Sequence, residues 1–227
     1  MIGAVLVAGC GSGHERPSAT ETARARASHA ADAAPLSVRQ LKALTFRDGE
    51  VPQVHGGEVP LEPSHAEKGG GRTFPPVSDP ACQVVMDTRD AKGSFARISQ
   101  IFNWKDSIWP GASTLASYEG GKAVAAFGRL QGGLKTCRSY TGTGWVGPFK
   151  AELTPEKAPR LGDEAVSYEV AIPMPEDKRL NQYQYTVVRV GSVIVTFSTQ
   201  DLGRHASFPA DLMRKQVERI SAAQRKR

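Results

Sequence analysis

At Cys137 the apolar pattern of this chain changes period, and that change narrows its fold more than any other feature of the sequence. Over residues 119–137, Val124, Phe127, Leu130, Leu134 and Cys137 follow one helical stripe in spite of interspersed glycines. Beyond it, residues 138–143, 146–153, 164–172, 183–190 and 193–199 alternate or run β-branched, the pattern of strands. In the third of these, Ala165, Ser167, Glu169 and Ala171 oppose Val166, Tyr168, Val170 and Ile172. Gly191-Ser192 separates the last two, the length of a tight hairpin. A meander with such short connections pairs antiparallel.

Helical signals bracket the meander. Ser37 is placed to cap a short helix that presents Leu41 and Leu44 on one side. Phe95, Ile98, Ile101 and Phe102 are spaced for a further helix ending near Trp104, and residues 112–118 alternate as a strand. Pro209 suits a first helical position, with Asp211 in the first turn and Met213, Val217 and Ile220 as the apolar stripe of a last helix. Residues 47–80 are rich in Gly and Pro and poor in apolar side chains. They read as an exposed excursion with at most one edge strand, so the packed body is expected to begin near Cys82. The expected class is α+β: a single domain over residues 36–224, with an antiparallel sheet of about five strands and helices packed on one face.

A length of 227 residues, 40% hydrophobic, suits one such domain with room for a tail. Gly 23 and Pro 15 have no fixed period, which excludes a collagen-like fibre. No apolar run reaches the ~18 residues that a spanning helix needs. The formal charge of +6 is concentrated in residues 211–227, where six basic side chains face two acidic ones. The rest of the chain is near neutral and shows no basic face interleaved with aromatics, so nucleic acid is excluded as a partner. The basic end, with residues 225–227 as a short tail, reads as a solvated helix terminus whose cations suit the dipole. The alternative is attraction to an anionic lipid or wall polymer.

Residues 1–9 are apolar and end in small side chains directly before Cys10, as an export signal does. Val7-Ala8-Gly9-Cys10 resembles the lipobox of bacterial lipoproteins, in which an aliphatic residue and two small ones precede a Cys whose sulfur receives a diacylglycerol. No Lys or Arg precedes it, so residues 1–9 are expected to be the end of a longer signal peptide whose natural start lies upstream. Two acyl chains, at ~0.8 kcal/mol per buried methylene, hold a protein on a membrane. Residues 10–35 pair that Cys with a stretch whose only apolar side chains are Ala and Pro, a mobile tether. With Cys10 acylated, Cys82 and Cys137 remain, and outside the cytoplasm such a pair usually forms a disulfide. A thiol nucleophile or metal site is disfavoured, because the chain has no Cys-x-x-Cys and no His within fifteen residues of either.

Candidate chemistry is sparse. Gly142-x-Gly144-x-x-Gly147, with Asp163 downstream, matches a dinucleotide-binding string, but that motif needs a helix start to meet the pyrophosphate and this sequence continues as strand. The glycines read as a hairpin turn with Trp145 at its tip. His14, His29, His55 and His65 fall in tether or excursion and His205 stands alone in a loop, so no metal site is expected. No Ser sits in a G-x-S-x-G elbow. Leu161-Gly162-Asp163-Glu164 reads as a turn with solvated acids. Neither catalytic residues nor a cofactor is expected. The side chains suited to line a ligand cleft are Trp109, Tyr118, Tyr140, Trp145 and Tyr168, with core packing the alternative for each.

With these elements in this order, the chain resembles actinobacterial lipoproteins with a PknH-like extracellular sensor domain. The resemblance is carried by Leu36-Ser-x-x-Gln40-Leu41, Pro80-Ala81-Cys82, Ser117-Tyr118, Leu134-x-x-Cys137, Leu161-Gly162-Asp163-Glu164 and Val188-Arg189-Val190-Gly191. It implies a sheet with packed helices, a cleft for an unknown ligand, and no catalysis. It departs in one respect, since the kinase domain carries two disulfides and this chain has cysteines for one. The expectation is a non-enzymatic lipoprotein anchored through Cys10 on the extracytoplasmic face of the cell membrane, binding a small-molecule or cell-wall ligand. The alternative is an envelope scaffold whose partner is another protein.

Overall fold

The computed structural model describes residues 34–62, 75–144, 147–174 and 177–225. Its strands are β1 (Ala96–Phe102), β2 (Gly111–Ser117), β3 (Ser139–Gly144), β4 (Gly147–Glu156), β5 (Glu164–Met174), β6 (Asp177–Val190) and β7 (Val193–Leu202). Its helices are α1 (Val38–Leu44), α2 (Pro80–Arg89), α3 (Lys122–Thr136) and α4 (Ala210–Arg225). The strands make one antiparallel sheet in the order β1-β2-β7-β6-β5-β4-β3. The chain lays down the β1-β2 hairpin, crosses to the far edge through α3, and meanders back until β7 closes on β2. The α+β class holds, but the sheet has seven strands rather than about five.

The helices lie on both faces of that sheet, not on one. Neighbouring residues on the central strands enter opposite cores: Leu115 and Ala116 on β2, Val188 and Val187 on β6, Val195 and Ile194 on β7. The first core takes in Leu41 of α1 and Leu212, Val217 and Ile220 of α4; the second takes in Val85 of α2 and Phe127 and Leu130 of α3. A strand buried on both faces needs apolar side chains at consecutive positions, and Val187-Val188 and Val193-Ile194-Val195 supply them.

The helix expected from Phe95 to Trp104 is instead strand β1. Ala96, Ile98, Gln100 and Phe102 are its buried face, while Phe95 is exposed. Gln100 donates to the carbonyls of Phe46 (2.9 Å) and Val59 (3.1 Å) and accepts from the Phe46 amide (2.8 Å). A polar residue at a core position hides a period of two. The helix of this region is α2, where Pro80 occupies the first turn and the Asp79 carboxylate caps it by accepting from the Cys82 amide at 2.8 Å.

The excursion is also partly interior. Val51, Val54 and Val59 are buried, as is Phe46 just before them; Val54 bridges to Trp104, and Leu61 bridges to Gln100. Arg219 of α4 grips the segment through both Glu50 oxygens (2.8 Å each) and the Thr45 carbonyl (2.9 Å). Packing therefore begins at Leu36 rather than near Cys82; residues 63–74 lie outside the described ones. Elsewhere the pattern reads through directly. Ser37 and Gln40 form a reciprocal capping box on α1. Val190 faces Val193 across the Gly191-Ser192 turn, and Met213, Val217 and Ile220 are buried. Cys82 and Cys137 are disulfide-bonded, joining α2 to the end of α3. No helix among the described residues is long and apolar enough to cross a membrane.

Candidate functional site

On the second face, strands β3 to β6 carry an aromatic surface with one guanidinium over it. Tyr168 of β5 lies opposite Tyr185 of β6 and stacks on it, with ring centroids 5.2 Å apart. Tyr183, two residues before Tyr185 and so on the same side, continues the stack at 6.5 Å. Arg89, the last residue of α2, lies 5.3 Å above the Tyr185 ring while its Nε and Nη2 donate to Asp90 at 2.7 and 2.9 Å. Tyr140 of β3 meets Phe149 of β4 edge to face at 6.0 Å. Phe149 also lines an open groove of about 550 Å³ with Pro75, Pro76, Ser78, Thr141 and Lys150. Gly142 permits this approach, because a Cβ there would sit 2.9 Å from Phe149 Cζ and 3.0 Å from Val77 Cγ1.

Burial keeps the phenols neutral. It pushes Tyr118 and Tyr140 up to about 12, with Arg129 and Arg89 respectively pulling the other way. Tyr168 and Tyr185 are raised by burial too, against the same pull from Arg89. For Arg89 burial opposes the charge, yet Tyr185 and Asp90 outweigh it and its pKa stands above the ordinary guanidinium value. The result is a set of neutral phenols in which Tyr140, Tyr168 and Tyr185 feel the Arg89 cation and Tyr118 feels Arg129. The hydroxyls of Tyr118 and Tyr168 are buried without a hydrogen-bond partner. Phe149, Tyr183 and Tyr185 are only partly buried and offer ring faces to a planar ligand, whereas the Tyr118 and Tyr168 hydroxyls are enclosed in the core; none of the described hydrogen bonds joins a Ser, Thr or Cys to a His.

The structure brings some of the sequence-selected residues together and separates others. Tyr118, Tyr140 and Tyr168 share the second core, at 2%, 4% and 1% exposure. Trp109 is on the β1-β2 connection, at the opposite edge of the sheet from Tyr140. Cys10 and Trp145 lie outside the described residues. Arg89, Phe149, Tyr183 and Tyr185 were missed by sequence reasoning. The i, i+2 spacing of Tyr183 and Tyr185 on a strand pointed to them, whereas nothing local marks Arg89. The glycine string is a hairpin, with Gly144 opposite Gly147.

Two other readings need correction. Asp163 and Glu164 are not free solvated acids, because both pair with the buried Arg189, at 2.9 and 2.6 Å, and Asp163 also accepts from the Gly191 amide at 2.7 Å. His205 does not stand alone, because its Nδ1 lies 3.2 Å from Glu169 and 3.5 Å from Glu156. These three are the side chains among the described residues grouped closely enough to hold a metal ion.

The strings that carried the family resemblance meet in space. Leu161-Gly162-Asp163-Glu164 docks on Val188-Arg189-Val190-Gly191, Pro80-Ala81-Cys82 is bonded to Leu134-x-x-Cys137, and the Leu36 amide donates to Ser117 Oγ at 2.7 Å. They are fixings of the scaffold rather than of a ligand site. No family model and no curated protein matches the chain. Among solved structures the chain is similar to the extracellular domain of PknH from Mycobacterium tuberculosis, with a TM-score of 0.54 and 17% sequence identity. The match covers 85% of this chain and 98% of that one, and it establishes a shared fold.

Proposed function

We propose that this chain is a lipid-anchored, extracytoplasmic sensor or ligand-binding module without catalytic activity of its own, fixed to the membrane through Cys10. The observation that supports the reading is the fold, which matches nearly the whole extracellular domain of PknH. The Cys82–Cys137 bond suits an oxidising compartment. The ligand is a small or wall-derived molecule with a flat ring or sugar-like face. Of the residues singled out for contact with it, Tyr140 is the best placed, because its neighbour Phe149 lines the groove. Tyr118 and Tyr168 support that surface from within the core, Trp109 extends the proposal to the β1-β2 connection, and Trp145, outside the described residues, is a candidate from the sequence alone.

The test has two arms. Metabolic labelling with an alkyne fatty acid should mark the wild-type chain in the membrane fraction and fail on Cys10→Ser. An unlabelled wild-type chain among cytosolic proteins overturns the anchoring. Mass spectrometry of the purified chain should find a co-purifying small molecule that Phe149→Ala loses. A clean apo protein that instead captures one envelope protein overturns ligand binding in favour of a scaffold.

A further inference from the structure

The opposite face of the same strands carries a cluster that the sensor reading does not use. Thr154 of β4 pairs with Glu169 of β5, so Glu156, two residues on, returns to the same face as a diagonal neighbour of Glu169. His205 reaches them from the loop between β7 and α4. His205 Nδ1 is 3.2 Å from Glu169 Oε2 and 3.5 Å from Glu156 Oε1, and one donor atom from each residue falls within 4.8 Å of the other two. Around a tetrahedral ion with bonds of ~2.0–2.1 Å, donors stand about 3.3 Å apart. Two of the three separations are therefore already those of a coordination shell.

The remaining carboxylate oxygens are held from behind. Gln184 Nε2 donates to Glu156 Oε2 at 2.9 Å and Gln182 Nε2 donates to Glu169 Oε1 at 3.2 Å. Both amides come from β6, so each fixes one oxygen and leaves the other facing His205, the arrangement by which outer partners orient metal ligands. Both glutamates are half-buried on paired strands, which makes two of the three ligands rigid. The charges also favour a divalent ion: a protonated imidazole offers one positive charge to two carboxylates, whereas a dication balances both.

We propose that Glu156, Glu169 and His205 bind one divalent transition-metal ion of the Zn²⁺ class. An imidazole with two carboxylates suits Zn²⁺ or Co²⁺ and not the all-oxygen shells of Ca²⁺ and Mg²⁺. Three protein ligands leave a fourth position open to water or to an oxygen of a bound partner. The ion ties the β7-α4 loop to the sheet.

The test uses the full, tag-free chain carrying Cys10→Ser, which removes the free thiol, after stripping with a chelator. Zn²⁺ is titrated in competition with a chromophoric chelator, and Co²⁺ is followed by its visible d–d bands. One Zn²⁺ should bind at least about tenfold more tightly than to His205→Ala or Glu169→Gln. The Co²⁺ bands should vanish in His205→Ala, and excess Mg²⁺ should displace nothing. The other histidines are common to all three proteins and cancel, and the exposed His205 allows its variant to melt like the parent in chelator. Equal Zn²⁺ affinity in parent and His205→Ala, or Co²⁺ bands independent of His205, overturns the site.

Discussion

The two faces of the sheet bury different chemistry. On the first, Phe102 packs against Phe46, Trp104 and Phe208 with ring centroids 5.1 to 5.8 Å apart, and Phe208 meets Phe197 at 5.1 Å. The polar Gln100 inside it uses both ends of its amide on backbone partners. On the second, tyrosines outnumber phenylalanines and a guanidinium sits among them. Each face holds two buried polar atoms without a partner, Ser113 Oγ and Gln216 Oε1 on the first and the Tyr118 and Tyr168 hydroxyls on the second. Burying an unanswered hydroxyl costs free energy that a ring of the same shape does not. The second face, which holds the candidate ligand surface, is the one with a disulfide across its helices. The candidate ligand surface and the phenylalanine cluster thus lie on opposite sides of one sheet.

The largest test of that division is Phe102→Ala, which empties the centre of the first core. It should cost about 3–5 kcal/mol in denaturant unfolding, and a loss below 1 kcal/mol would mean that the first face is not packing-dominated. Next, removing the staple by Cys82→Ser with Cys137→Ser should cost roughly 2–4 kcal/mol, as expected for a loop of this length. Because the two changes act on separate cores, their effects should add; strong non-additivity would show the faces to be coupled. Gln100→Leu should cost ~1–3 kcal/mol by orphaning the Phe46 and Val59 backbone groups.

A pH titration reads the second face alone. Unfolded tyrosines ionise near pH ~10, whereas folded Tyr118 and Tyr140 wait until about 12. Between those values the unfolded chain gives up protons that the folded chain keeps, so this contribution is intact below about pH 10 and is lost as pH rises through 12. Absorbance at 295 nm should rise later in native than in denatured protein, and coincident curves would refute the burial. Smallest of all is Tyr168→Phe. Removing a buried hydroxyl that bonds to nothing should leave stability within ~0.5 kcal/mol or raise it slightly. A loss above 2 kcal/mol would mean that the hydroxyl has a partner in solution.

Legibility in the sequence followed how local each signal is. The meander from β3 to β7, α3 and α4 were readable, since their periods run through uninterrupted stretches and three of the four turns of the meander carry glycine. Strand β1 was not, because Gln100 breaks its apolar alternation and its hydrogen-bond partners are about fifty residues away in the chain. The segment around Val51, Val54 and Val59 has no period at all; it is buried because β1 and α4 cover it. Among the site residues, Tyr140 and Tyr168 were selected for ring chemistry alone. Arg89 gains its meaning only when α2 sets it over Tyr185.

The sequence by itself determined the class of fold, the tight hairpin at Gly191-Ser192 and, through cysteine arithmetic, the Cys82–Cys137 bond, since each rests on residue type, spacing or count. Tertiary structure decided that helices cover both faces, which tyrosines gather under one guanidinium, and that His205 meets Glu156 and Glu169. Those outcomes depend on which strands become neighbours, and strand order is set by the free energy of the assembled sheet and its two cores rather than by any one segment.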